Sequence, residues 1–155
     1  MAELTPGDDA PQFSLPADGG GEVRLTELRG KIVVLFFYPQ DNTQTCTVEA
    51  IDFSKFNDAF REAGAVVIGI SPDSLKKHAN FRKKHGLTTP LAADESREAI
   101  EAYGVWGEKT MFGRKYMGVI RSTFLIDRDG KIARIWRKVR VPGHAEEVLE
   151  AAKAL

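Results

Sequence analysis

The stretch Lys31-Ile32-Val33-Val34-Leu35-Phe36-Phe37-Tyr38-Pro39-Gln40-Asp41-Asn42-Thr43-Gln44-Thr45-Cys46-Thr47-Val48 decides the fold. Ile32 to Phe37 is an unbroken apolar run, too short for a stable helix and without the alternation of a strand wetted on one side. A strand covered on both faces fits it. Pro39 has no backbone N–H and ends the run. A polar loop follows, and from Thr47 to Ala63 apolar residues recur at Val48, Ile51, Phe56, Ala59, Phe60 and Ala63. That spacing predicts a helix, closed by Gly64. Cys46 falls at the entry to this helix.

Working outward, Ala65 to Ile70 reads as a second buried strand. Ser71 and Pro72 supply the cap and first-turn residue of a helix running to His85, with Gly86 as its stop. The unit is strand, helix, strand, helix. Thr89 to Ala93 is a short third strand, Ser96 to Tyr103 a short helix, and Gly104 to Met117 a loop carrying Trp106, Phe112 and Tyr116. Val119 to Ile126 and Lys131 to Val139 alternate as strands, and Asp127-Arg128-Asp129-Gly130 joins them as a hairpin. Gly143 to Leu155 is an amphipathic helix. Upstream, Gln12 to Leu15 and Glu22 to Leu25 flank a Gly19 to Gly21 turn and predict an N-terminal hairpin. The expected class is α/β, with a mixed central sheet and flanking helices.

At 155 residues the chain is expected to form one domain with a continuous core. Its 22 basic and 22 acidic side chains cancel, so no global field draws in nucleic acid or anionic lipid. Met1 to Pro16 lacks a basic segment followed by an apolar one, and no apolar run reaches the roughly 20 residues a bilayer needs. A soluble cytoplasmic protein is expected, with no membrane partner.

There is one cysteine, so this chain forms no internal disulfide. A lone cysteine is often a small buried hydrophobe. Here, however, Gln44, Thr45 and Thr47 around it are polar, and its place in the first helical turn sets it near unpaired N–H groups and the positive end of the helix dipole. That place favours thiolate over thiol. Arg121 lies on an otherwise apolar predicted strand, an expensive position for a cation unless an anion receives it. A thiolate at Cys46 and the carboxylate of Glu49 are both candidates, and they are compatible if Glu49 orients the guanidinium. Thr123 would face the same side as Arg121, since strand side chains alternate. His78, His85 and His144 have no ligand spacing, so they are expected at the surface, with no metal site and no cofactor.

Pro39, Thr43 and Cys46 match the Pro-x-x-x-Thr-x-x-Cys signature of the peroxiredoxins, and the chain most resembles their bacterioferritin comigratory protein, or PrxQ, branch. Gly7 to Pro16, Arg29-Gly30-Lys31, Tyr103-Gly104-Val105-Trp106 and Arg121 to Asp127 resemble it too, in the right order. The resemblance implies a thioredoxin-like fold and a thiol peroxidase in which Cys46 attacks a hydroperoxide and becomes a sulfenic acid. Thr43 would then steer the peroxide oxygen through its hydroxyl, and Pro39 would roof the pocket against water. Arg121 would stabilise the thiolate, with Glu49 and Thr123 in support. Pocket width, and with it the preferred peroxide, would be set by Trp106, Phe112 and Tyr116.

Many members of the branch carry a resolving cysteine five residues after the first, where this chain has Ile51. Recycling is therefore expected to use an outside thiol: thioredoxin, glutaredoxin or a low-molecular-weight thiol. Gln44-Thr45 replaces the common Pro-Gly, and without the C-terminal extension of the ring-forming members a monomer or weak dimer is expected. Two other readings use the same thiol. An acyl-transfer enzyme needs a neighbouring base, which no histidine here supplies by its position. A redox-sensing, thioredoxin-like binding module would react once and stall, whereas a peroxidase turns over with its reductant.

Overall fold

The computed structural model describes residues 3–19 and 21–155. In chain order the strands are β1 (Ser14–Asp18), β2 (Gly21–Arg24), β3 (Ile32–Phe37), β4 (Ala65–Ser71), β5 (Leu91–Ala93), β6 (Trp106–Met111), β7 (Arg114–Val119), β8 (Ser122–Ile126) and β9 (Ile132–Arg137). The helices are α1 (Gln44–Lys55), α2 (Asn57–Glu62), α3 (Leu75–His85), α4 (Glu98–Ala102) and α5 (His144–Lys153). Seven strands form one sheet in the order β2-β1-β5-β4-β3-β8-β9. The six-residue apolar run is its centre, parallel to β4 on one side and antiparallel to β8 on the other. None of its six side chains is more than 1% exposed. The sheet is mixed, as its sequence pattern predicts.

The two faces of β3 feed two cores. Ile32, Val34 and Phe36 pack with residues of α1, α2, α3 and α5, whereas Val33, Leu35 and Phe37 pack with Phe13, Ile100 of α4, Tyr103 and Phe124. On the first face Phe36 stacks on Phe53 of α1 at 4.6 Å, which seats the helix that carries Cys46. The N-terminal hairpin is present as β1 and β2, although Gly20 of its expected turn lies outside the described residues.

Several boundaries differ from the sequence reading. The helix expected over Thr47 to Ala63 starts at Gln44 and breaks at Phe56, where ψ moves to 5° and α2 begins. Its buried face is Cys46, Glu49, Ala50 and Phe53, while Val48 and Ile51 are 45% and 41% exposed. This face keeps i, i+3, i+4, i+7 spacing, but half of it is a thiol and a carboxylate, which hydrophobicity alone does not register. Ser71 is the last residue of β4 rather than a cap; Ser74 caps α3, its hydroxyl accepting from the Lys77 N–H at 3.3 Å. Residues 104–117 are not a loop. β6 and β7 form a separate two-stranded hairpin whose turn residues, Phe112 and Gly113, both have positive φ (52° and 78°). The strand expected over Val119 to Ile126 is interrupted between β7 and β8, and Arg121 sits in that interruption.

Candidate active site

Thr43 is the N-cap residue of α1 in extended conformation, and its carbonyl accepts both the N–H and the hydroxyl of Thr47, at 2.9 and 2.7 Å. Cys46 is then the third residue of the helix, within the turn whose N–H groups have no intrahelical partner. Its side chain points inward and the residue is 2% exposed. Arg121 reaches the sulfur from the segment between β7 and β8. Its carbonyl accepts the N–H of Val139, fixing its backbone beside the main sheet. Its Nη2 donates to Cys46 Sγ at 3.1 Å and its Nη1 to Glu49 Oε1 at 2.6 Å. Glu49, one turn after Cys46, is buried, so the guanidinium is held between two groups of one helix face.

The electrostatics follow from that burial. Loss of water disfavours charge on Arg121, but the negative charge of Glu49 and of the sulfur outweighs it and holds the guanidinium above the ordinary arginine range. Burial pushes the Glu49 carboxyl up to about 7, against the pull of Arg121. Cys46 Sγ therefore faces a guanidinium within hydrogen-bond reach at the first turn of a helix.

A cleft of about 490 Å³ opens onto Cys46. Pro39, Thr43 and Arg121 border it on the sheet side, and Trp106, Tyr116 and Met117 border it on the hairpin side. Thr43 donates its hydroxyl hydrogen to the Gln40 carbonyl at 3.0 Å, which leaves the oxygen lone pairs free to accept. Phe112 is not in the cleft: it stands at the hairpin tip, 98% exposed, because the turn projects its side chain away from both strands. Thr123 lies on the same face as Arg121 but its hydroxyl pairs with His144 Nε2 at 2.8 Å, not with Cys46.

Two expected surface histidines are interior. His78 is fully buried and His144 is 6% exposed, since α3 and α5 turn them inward to polar partners. Among the described residues one group of ligand-type side chains, Asp41, Asp73 and His78, lies close enough to share an ion, but those groups are already hydrogen-bonded within the protein. Sequence reasoning missed Lys109. It lines the cleft, donates to the Val119 carbonyl at 3.0 Å, and has its pKa lowered by burial and then by the charge of Arg121. The available signal was Gly113 between two six-residue extended segments, which pairs Lys109 with Tyr116.

A free thiol in the first turn of the helix after the central strand, bonded by a part-buried guanidinium, defines a thiol-based redox enzyme on a thioredoxin-like sheet. The AhpC/TSA family pattern matches residues 6–135. Peroxiredoxin Bcp of Bacillus subtilis is 46% identical over 147 residues, 95% of this chain and 94% of its own. The chain belongs to the AhpC/TSA family, as a peroxiredoxin of the Bcp or PrxQ type. Among solved structures, a cysteine-to-serine variant of Xylella fastidiosa PrxQ superposes with a TM-score of 0.93 at 37% identity, covering 99% of this chain and 98% of that one. Bacterioferritin comigratory protein of Xanthomonas campestris, solved as trapped intermediate and ligand complexes bearing on its alkyl peroxide reduction, superposes with a TM-score of 0.86 at 41% identity over 92% of this chain and 90% of that one. Two matched Xanthomonas structures are serine variants of two different cysteines, whereas this chain has one.

Proposed function

We propose that the chain reduces hydrogen peroxide and organic hydroperoxides through Cys46 and is recycled by an external thiol. The observation that carries this reading is the 3.1 Å contact from Arg121 Nη2 to Cys46 Sγ at the start of α1. In the proposed step the Cys46 thiolate attacks the terminal oxygen of the hydroperoxide. An S–O bond forms, the O–O bond breaks, and the departing alkoxide or hydroxide takes a proton to leave as alcohol or water. Thr43 accepts a hydrogen bond from the hydroperoxide and Arg121 stabilises the charge passing from sulfur to the leaving oxygen. Glu49 keeps the guanidinium aimed. Pro39 shields the sulfur on the side of the cleft where a donor would compete.

The product is Cys46 sulfenic acid. Recycling takes two thiols of a thioredoxin, a glutaredoxin or a small thiol. The first attacks the sulfenic sulfur and releases water, leaving a mixed disulfide. The second attacks that disulfide and returns Cys46 to its reduced form. A reducing cytoplasm suits a lone reactive thiol served in this way.

Rapid mixing of reduced protein with hydrogen peroxide, with sulfenate as the readout, tests the assignment. Cys46→Ser gives no reaction, and Arg121→Ala lowers the second-order rate by about 100-fold or more, the scale of losing a preorganised charge at the reacting atoms. Undiminished oxidation of the Arg121 variant would remove the guanidinium from the mechanism. On non-reducing gels the oxidised protein shows no internal crosslink and traps an adduct with its reductant.

A further inference from the structure

Behind the cleft lies a buried polar group that the chemistry above does not use. His78 Nδ1 is 2.7 Å from Asp41 Oδ2, and its Nε2 is 3.1 Å from the carbonyl oxygen of Ala92 on β5. A carbonyl oxygen only accepts, and a neutral imidazole has one N–H. Both contacts are satisfied together when the Nε2 proton goes to Ala92 and a second proton lies between Nδ1 and Asp41. Tyr38 donates its hydroxyl to the other carboxyl oxygen, Asp41 Oδ1, at 2.6 Å, so both oxygens of Asp41 are engaged. Burial, and then the charge on Asp41, raise the Tyr38 pKa well above the ordinary tyrosine range, so Tyr38 remains a donor. The ring thus ties Asp41 to the Ala92 carbonyl through its two nitrogens.

Asp41 is fastened at its backbone as well. Its N–H donates to Asp73 Oδ2 at 2.7 Å, and the Ser71 hydroxyl donates to the same oxygen at 2.7 Å. Lys77, one turn into α3, stands 3.8 Å from the other oxygen of Asp73. The groups facing the pair from the surrounding elements are therefore Tyr38, Ser71, Asp73 with Lys77 behind it, and the Ala92 carbonyl. Asp41 follows Gln40, whose carbonyl receives the Thr43 hydroxyl, and precedes Asn42, which turns the chain at a φ of 62°. Thr43 then starts α1.

We propose that His78 is a positioning residue for the peroxidatic thiol: its buried ring, bridging the Ala92 carbonyl and Asp41, clamps Asp41, and Asp41 fixes the loop that aims the Thr43 hydroxyl and sets the first turn bearing Cys46. The proposal rests on the roles given above to Thr43 and Cys46. The clamp costs the site nothing in access, because it lies entirely on the inner side of the loop.

Nitrogen NMR of reduced wild-type protein carrying labelled histidine, at pH 7.5, reads the proton count directly. Each His78 nitrogen is expected to carry or share a proton, and a ring with one bare nitrogen overturns the clamp. Two variants then separate aiming from packing. His78→Asn keeps a donor near the Nδ1 position, toward Asp41, whereas His78→Gln keeps one near Nε2, toward Ala92. The expected rate of Cys46 oxidation by hydrogen peroxide is within about threefold of wild type for the Asn variant and down by about tenfold or more for the folded Gln variant. A wild-type rate in the Gln variant, or equal losses in both, overturns the proposal. If the Gln variant does not fold, a tenfold loss in the folded Asn variant overturns it as well. Cys46→Ser, run alongside, separates the two readings: peroxide consumption by that variant would sink the assignment of Cys46 while leaving the His78 spectrum interpretable.

Discussion

Arg121 donates to two partners, Glu49 and Cys46, through two different nitrogens, so neither contact displaces the other. Exchange for Lys would keep a charge but lose this fork, because an ammonium is a single point and not a planar pair of donors. A second residue with a measurable signature is His144. Burial holds its pKa down to about 4, and its Nε2 meets the Thr123 hydroxyl. A depressed histidine contributes stability that is present above its unfolded pKa of about 6.5 and is lost as pH falls toward 4. Denaturant unfolding between pH 7 and 4 should show the wild type losing on the order of 2 kcal/mol more than His144→Gln, allowing for partial solvent screening. Parallel pH profiles would mean that His144 titrates freely in the native state.

At the scale of elements, the hairpin of β6 and β7 carries Trp106, Lys109, Tyr116 and Met117 to the cleft but leaves Phe112 at its tip. Phe112→Ser should therefore leave hydrogen peroxide turnover within about twofold of wild type, as expected for an exposed side chain away from any special feature. A large change in stopped-flow rate would bring the tip back into the site. The hairpin is also where sequence reading stopped short. The strong signals were legible: a six-residue apolar strand, the glycine stops at Gly64 and Gly86, the turn at Gly130, and Cys46 beside a helix start. What escaped depends on tertiary context. β6 and β7 are mostly exposed on both faces, so they show no apolar alternation to distinguish them from loop. The true inner face of α1 was hidden because half of it is Cys46 and Glu49, whose shared partner Arg121 arrives from 72 residues beyond Glu49. The buried histidines were equally invisible, since their partners come from distant strands and a loop.

For the molecule as a whole, the central sheet acts as the bench on which α1 is mounted. Gly69 of β4 illustrates how tightly that mounting is made. A Cβ there would lie 2.6 Å from Phe36 and 2.8 Å from Leu91, and Phe36 is the ring on which Phe53 of α1 stacks. Gly69→Ala should destabilise the fold by about 1–3 kcal/mol, the usual penalty for overpacking. It should slow Cys46 oxidation as well, because the displaced ring pushes on the catalytic helix. Urea melts and peroxide kinetics on the same sample check both, and a neutral melt would show that the core yields locally. The attachment of Arg121 has a different implication. Its foothold belongs to the seven-stranded sheet and the Val139 amide, and owes little to the projecting ribbon beside it. Evolution can therefore trade that ribbon for a wider or narrower visor over the cleft, while the guanidinium that meets the sulfur stays where it is.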